Sequence, residues 1–437
     1  LIKEISMSKE ENRKNFSKYV SQNILGMIGF SCYVLADSYF ISIAKGADGL
    51  TALNLVMPLY SIIFSIGEMI GVGSAIRYAI SKIKKDADAD DYFWNALIWC
   101  ILSSMLFVFA GIFFSADIMR VLGADEHIVA VGNNYTKIFM CFAPMFMCNY
   151  VTNAFVRNDG APGIAMSATL FSSLFNIVFD YILMFPMNLG MEGAALATAL
   201  SPIIGMGICS IHFFSKKSSV RLVVCKPSVR KLVAGCQLGV SAFVGEMSSA
   251  VITLAFNFVI LKLAGNVGVA AYGVVANIAI VTTAVFNGVA QGSQPLISSC
   301  FGRGDKDGCT QLKRMGYTTA FVLAAVMYSI LFIFAGQFVA VFNSEGSEML
   351  RLYATEGVKL YFIGIFFAGI NIVGGGAFSA TEDAFKAAVV SVARGFVLIL
   401  GAVFVMSALF GMTGVWLAYA VAEGITTFIM LVMVLRV

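Results

Sequence analysis

Asn176 and Asp180 stand four residues apart in the stretch FNIVFDYILMF (175–185), so a helix there carries both on one face. The stretch is otherwise apolar enough for lipid. A carboxylate near the middle of a bilayer costs at least about 2.5–3.5 kcal/mol on insertion scales, so each one needs a reason. Further acids sit in similar surroundings: Asp37 in YVLADSYFIS, Glu68 in SIGEMIG, Glu246 in FVGEMSS and Glu423 in AVAEGIT. Thr198 follows in GAALATAL. If Asp37 faces the Asn176/Asp180 pair, two carboxylates, an amide and a hydroxyl meet in one dry pocket. Such hard oxygens suit Na⁺, and crowded, buried like charges equally suit a bound proton. The alternative is that Asn176 and Asp180 simply hydrogen-bond neighbouring helices together.

The elements that position these residues follow from composition. The chain has 437 residues, 59% of them hydrophobic and 12% charged, with a mean hydropathy of +0.86. Soluble proteins of this length do not reach that value. Crossing roughly 30 Å of hydrocarbon takes about 20 apolar residues as a helix. Twelve stretches qualify, at 17–41, 52–80, 92–113, 131–156, 161–185, 190–214, 232–262, 267–300, 312–337, 352–380, 386–408 and 413–436. They lack the ten-residue alternation of a membrane barrel, so an all-α polytopic membrane protein is expected.

Orientation follows from Lys and Arg. With both termini inside, 23 of the 29 basic residues fall on the cytoplasmic side, Arg157, Lys386 and Arg394 among them. The positive-inside rule selects this topology, in a cell inner (plasma) membrane. The charged opening LIKEISMSKEENRKNFSK has no signal-peptide core. The net charge of +4 is then an insertion signal, and nucleic acid is not expected as a partner. Nine scattered cysteines without a CxxC pair read as small packing residues.

Slid against itself by 219 residues, the chain matches Gly46 with Gly265, Gly49 with Gly268, Ala52 with Ala271, and Gly73–Ser74 with Gly292–Ser293. At an offset of 221, GMEGAALATA (190–199) faces GMTGVWLAYA (411–420). Two six-helix halves are expected, 1–222 and 223–437, as a parallel repeat about an axis along the membrane normal. The basic stretch 215–231 links them. Two bundles so joined suit alternating access to a site between them.

Several motifs together resemble the multidrug and toxic compound extrusion (MATE) transporters, in their bacterial MepA-like branch. They are LADSYFIS, RNDGAPGIAM, FNIVFDYIL, GMEGAALATALSP, FNGVAQGSQPLIS and SVARG, all in order along almost the whole chain. The resemblance implies a cation site in the first half made by Asp37, Asn176, Asp180, the Thr198 hydroxyl and the Ala194 carbonyl. It also implies export of small organic cations in exchange for H⁺ or Na⁺, with Na⁺ held at Asp37, Asn176, Asp180 and Thr198. No other cofactor is expected, and the chain is expected to act as a monomer in the bilayer.

The second half departs from family members that hold a cation there with a span 7 glutamate and a span 10 aspartate. Span 10 here has no acid, and its central polar group is Asn371. Glu68, Glu246, Gln291, Gln294 and Asn371 are the candidate substrate-cavity residues. Structural roles for Glu246, and a hinge at QGSQP (291–295), stay open beside that reading, and Glu423 is either a cavity or a packing residue. Glu68 lies nine residues from Arg77, about 13.5 Å along a helix, too far for a direct pair.

No GxxxxGK[ST], HExxH or GxSxG motif occurs, so nucleotide-driven transport and catalysis are not expected. Two other readings remain: a lipid-linked oligosaccharide flippase, disfavoured if basic residues keep to the loops, and a non-transporting membrane scaffold.

Overall fold

A computed structural model describes residues 9–342 and 347–435, helical apart from turns and the linker between α6 and α7, with no strand among the described residues. Lys3 and Arg436, two of the basic residues used for orientation, lie outside that range. The helices are α1 (Lys9–Lys84), α2 (Asp91–Val121), α3 (Glu126–Cys141), α4 (Ala143–Asn158), α5 (Pro162–Met184), α6 (Gly190–Phe213) and α7 (Val229–Gly302). There follow α8 (Lys306–Ile333), α9 (Ala335–Phe342), α10 (Glu348–Tyr361), α11 (Ile365–Ala380), α12 (Ala384–Val392) and α13 (Leu398–Leu435). A 3₁₀ turn, Phe362–Gly364, joins α10 to α11, and a π-helical turn, Ala393–Val397, joins α12 to α13.

Among the described residues ten spans are apolar and long enough to cross a membrane when α1, broken at Gly46 (φ 59°, ψ −141°), counts as two arms and α3 and α4, bent by 46°, count as one. Two of the ten are too long for one crossing. α7 has 74 residues, which would run about 111 Å as a straight helix against roughly 30 Å of hydrocarbon. It breaks at Gly265 (φ 61°, ψ −156°), as α13 breaks at Gly411 (φ 58°, ψ −136°). Those two breaks bring the count to the expected twelve crossings.

The repeat is written in the backbone as well as in the letters. Gly46 and Gly265 share left-handed φ values of 59° and 61°, and Lys85 and Gly304, also 219 apart, have 60° and 75°. Gly190 and Gly411 have 52° and 58°, and Gly160 and Glu382 have 88° and 60°. A left-handed turn costs a non-glycine residue roughly 1–2 kcal/mol, so Lys85 and Glu382 keep the geometry against their own preference. Helix starts use side chains that satisfy free amides: Asp125 accepts from Ile128 N at 2.8 Å and Asp305 from Gly308 N at 2.8 Å.

Each half has its own aromatic interior, with Phe93, Phe139 and Phe155 in the first and Phe256, Phe362 and Trp416 in the second. Outward faces of α2, α8 and α13 display Leu106, Phe113, Phe321 and Phe404. So much apolar surface is tolerable only against lipid. The protein is a multi-pass membrane protein.

The halves meet tightly at the end that carries the linker. A Cβ built on Gly73 would stand 2.0 Å from the Gly235 carbonyl oxygen and 2.7 Å from the Gly239 nitrogen. On Gly292 it would stand 2.7 Å from Val20 Cα. Adding 219 to Gly73 gives Gly292, and subtracting it from Gly239 gives Val20, so the two contacts are pseudo-twofold copies. Around them, Arg77 donates to the Ala234 carbonyl at 3.1 Å and pairs with Glu382, which Lys84 also meets at 3.6 Å. Lys231 pairs with Asp88 at 2.9 Å, and its hydrogen bond holds the Asp88 carboxyl below the usual carboxylate range. The linker itself is pinned by Asp159, which accepts from Ser219 N at 2.9 Å and contacts His212 Nε2 at 2.8 Å.

The Arg77–Glu382 pair joins the halves, so Arg77→Gln, Glu382→Gln and the double variant test it by thermal denaturation. The double variant is expected to lose less than the sum of the two single losses, because the second substitution has no pair left to break. A double variant that loses the sum of the single losses would show that the two residues act independently.

Candidate functional site

The first-half polar residues converge at one level. Asn176 and Asp180 share the inner face of α5, and both are fully buried, with Thr198 of α6 and Asp37 of α1 almost so. The Asn176 amide lies 3.1 Å from Thr198 Oγ1. With its oxygen toward that hydroxyl, its nitrogen donates to Asp180 Oδ2 at 3.2 Å, the orientation that satisfies both amide atoms. Asp37 and Asp180 are close enough to feel each other's charge. Asp37 Oδ1 and Asp180 Oδ1 are buried without a hydrogen-bond partner among the described residues. Two such oxygens beside an amide and a hydroxyl fit a small hard cation or a shared proton.

No three His, Cys, Asp or Glu side chains gather around a common point among the described residues. Ala194 is buried one turn before Thr198 in α6 and packs in the apolar cluster of Ile41 and Met184. An aromatic stack lies in the same half: the Tyr60 and Tyr135 hydroxyls bond each other, and the Tyr60 ring stacks on Phe139 with centroids 3.6 Å apart.

Next to this site, toward the linker end, lies a cavity of about 100 Å³. α1 lines it with Met27, Phe30 and Tyr33, the last one turn before Asp37, so one helical face serves both places. Glu68, Glu246 and Gln291 are on its wall. Asn149, Asn153 and Arg157 of α4 are there too, and these the sequence reading missed. Arg157 donates to Gln291 Oε1 at 2.7 Å, and Gln291 donates to Glu68 Oε1 at 3.3 Å, a chain that crosses between the halves.

The distribution of basic residues places Arg157 with the cytoplasmic charges, yet it is 4% exposed. The charge pattern could not show this, because Arg157 opens the RNDG turn at the end of α4 while its long side chain reaches back along α4.

Two expected cavity residues lie elsewhere. Gln294, three residues beyond Gln291, falls past the level where Gly292 meets Val20; it is buried there with its Oε1 unpartnered. Asn371 is turned into the second half by Glu423, donating to Glu423 Oε2 at 2.7 Å and accepting from Thr427 Oγ1 at 3.0 Å. Glu423 in turn takes Arg394 Nη2 at 2.7 Å. Of the two readings of Glu423, packing is therefore the one seen, and Arg394 is a span residue rather than a loop charge. The QGSQP hinge is not seen either: Pro295 lies inside α7, whose backbone leaves helical geometry at Gly265.

A family model described as MatE matches residues 23–182 and 242–404, once in each half. The protein named Multidrug export protein MepA from Staphylococcus aureus (strain MRSA252) is 27% identical over 414 residues, covering 92% of this chain and 89% of its own. Its namesake from Staphylococcus saprophyticus is 26% identical over 409 residues, with the same coverage.

Among solved structures, a MATE in complex with MaL6 superposes with a TM-score of 0.91 at 20% identity, covering 97% of this chain and 96% of that one. A MOP superfamily transporter from Pyrococcus furiosus, described as having a binding pocket of reversed polarity, gives 0.89 at 20% identity over 97% and 95%. At such identities these structures speak for the fold, and the family model, spanning most of both halves, speaks for descent. The chain belongs to the MatE family of membrane transporters and is not an enzyme.

Proposed function

We propose that this protein is a secondary active exporter of small cationic, amphipathic molecules, driven by inward movement of H⁺ or Na⁺. The relatives named as multidrug export proteins support the substrate class. One observation carries the coupling: the buried Asp180–Asn176–Thr198 network beside Asp37, with an unpartnered oxygen on each carboxylate. In this reading the cation occupies Asp37, Asn176, Asp180 and Thr198, with the Ala194 carbonyl nearby. Glu68 and Glu246 attract the substrate cation, and Gln291 spans the two halves at the cavity wall.

The halves 1–222 and 223–437 act as lobes that rock about the linker end. Both termini face the cytoplasm of a bacterial cell, and the chain works as a monomer. Loading the cation from the outside favours release of substrate there, and its departure inside resets the site.

The test is dye efflux from vesicles holding the purified protein, under a pH gradient and a Na⁺ gradient imposed separately. One of the two gradients is expected to drive efflux, and Asp180→Asn to remove that dependence. Efflux indifferent to both gradients would overturn the proposal. A flippase for an anionic lipid-linked sugar would need a cationic cavity, and Arg157 gives that reading one residue. Glu68 and Glu246 leave the wall net acidic, which favours organic cations.

A further inference from the structure

The internal repeat makes each half a control for the other, and the comparison isolates one difference. With the offsets of 221 and 222 that relate these spans, Asn371 corresponds to Asn149, Arg394 to Ser172 or Ser173, and Glu423 to Pro202. All of those first-half counterparts line the cavity. Where the first half has open space, the second half has a guanidinium. Arg394 reaches Glu423 with Nε at 3.1 Å and Nη2 at 2.7 Å, while Asn371 donates to the other carboxylate oxygen at 2.7 Å and Thr427 fixes Asn371 at 3.0 Å. The Glu423 side chain is 3% exposed and that of Arg394 17%.

The local backbone is irregular at the same place. The π-helical turn Ala393–Val397 carries Arg394, and such turns insert a residue and re-aim the side chains around them. In the first half the matching contact is small and neutral: Ser172 Oγ donates to the Ser201 carbonyl at 2.8 Å.

We infer that the second half contains a cation site permanently filled by its own side chain, a latent guanidinium site in which Arg394 is the tethered ligand and Glu423, Asn371 and Thr427 are the receptor. A flat guanidinium with its donors in a fork matches one carboxylate closely, which a mobile Na⁺ or a lysine ammonium does not. The tether removes the site from exchange, so ions and substrate work through the first half while the second stays a fixed partner. The inference rests on the Arg394–Glu423 geometry and the repeat, and holds whichever ion drives export.

Chemical rescue tests it, using the full chain in lipid nanodiscs and guanidinium chloride as the probe. Arg394→Ala is expected to lower the melting temperature by about 3–5 °C, because it strands a buried carboxylate. Guanidinium at 20 mM is expected to restore at least half of that loss, with 20 mM NaCl restoring none and the wild type unmoved. Arg394→Ala combined with Glu423→Gln removes the receptor charge and is expected to show no rescue.

Absence of rescue in Arg394→Ala, or equal rescue in the double variant, would overturn the assignment. A second arm does not depend on that variant folding: Arg394→Met with Glu423→Met replaces the pair by apolar side chains, a change that buried ion pairs commonly tolerate. Gradient-driven efflux with an unchanged ion count per substrate is expected from it. A changed count would mean that the pair takes part in coupling, against a filled, non-exchanging site.

Discussion

Asp37→Asn is expected to reduce gradient-driven dye efflux to the rate of protein-free vesicles, with the protein still inserted and folded. Asp37 Oδ1 is buried without a partner, and Asp180 stands close by; a cation bound between them gains most of its attraction from the two charges. Asparagine keeps the shape and one acceptor oxygen but removes the charge that must be neutralised for the site to change state.

The substitution also strikes the mechanical link. Tyr33, Phe30 and Met27 continue the Asp37 face down into the cavity, while Gly26 and Gly29 bring α1 against Met166 and Leu170 of α5. A change of occupancy at Asp37 is thereby felt along the cavity wall. Stability should hold or rise, since a neutral amide is cheaper to bury than a carboxylate, by roughly 2 kcal/mol or more on insertion scales. Monodisperse gel filtration and an unreduced melting temperature separate this outcome from misfolding. Efflux near wild-type levels would remove Asp37 from the mechanism.

How much of this was legible beforehand depends on distance along the chain. The twelve crossings, the repeat and the shared face of Asn176 and Asp180 are periodic or local, and periodicity survives in a single sequence. That Asp37 of α1 belongs with the α5 pair is a statement about residues far apart in the chain, which the resemblance implied and spacing alone could not give.

The misreadings share one cause. Arg157 and Arg394 read as cytoplasmic from their nearness to span ends, and Asn371 as a cavity residue from its central place in span 10, whereas each is placed by a partner more than 25 residues away: Gln291 for Arg157, and Glu423 for the other two. The asymmetry of the repeat was half seen. The pattern of basic residues places Arg394 on the cytoplasmic side, which hides its ion pair to Glu423. One signal was available: Arg394 lies about two turns past Lys386, deep enough in a helix to need a partner.

Gly73→Val is expected to abolish export by a different route, by holding the halves apart at the linker end. A Cβ at this position would come within 2.0 Å of the Gly235 carbonyl oxygen, a backbone atom that no side-chain rotation can move aside. The second arm of α1 and the first arm of α7 must therefore separate, and the Arg77 bond to the Ala234 carbonyl and the Arg77–Glu382 pair are drawn out with them. Each half keeps its own aromatic interior, so insertion and folding are expected to survive.

A transporter that cannot close one end equilibrates that side with the cavity at all times and cannot harvest a gradient. Cys236, next to Gly235, reports the change: as the sole cysteine, its maleimide labelling rate is expected to rise at least about tenfold, the equivalent of roughly 1.4 kcal/mol in the closing equilibrium. Gly245→Ala on the same arm of α7 is the control. A Cβ there meets nothing within 4 Å, and alanine favours the helix, so export and Cys236 labelling should match the wild type. Unchanged labelling with normal export in Gly73→Val would mean that the close glycine contact is incidental, and that the halves of this transporter part somewhere else during its cycle.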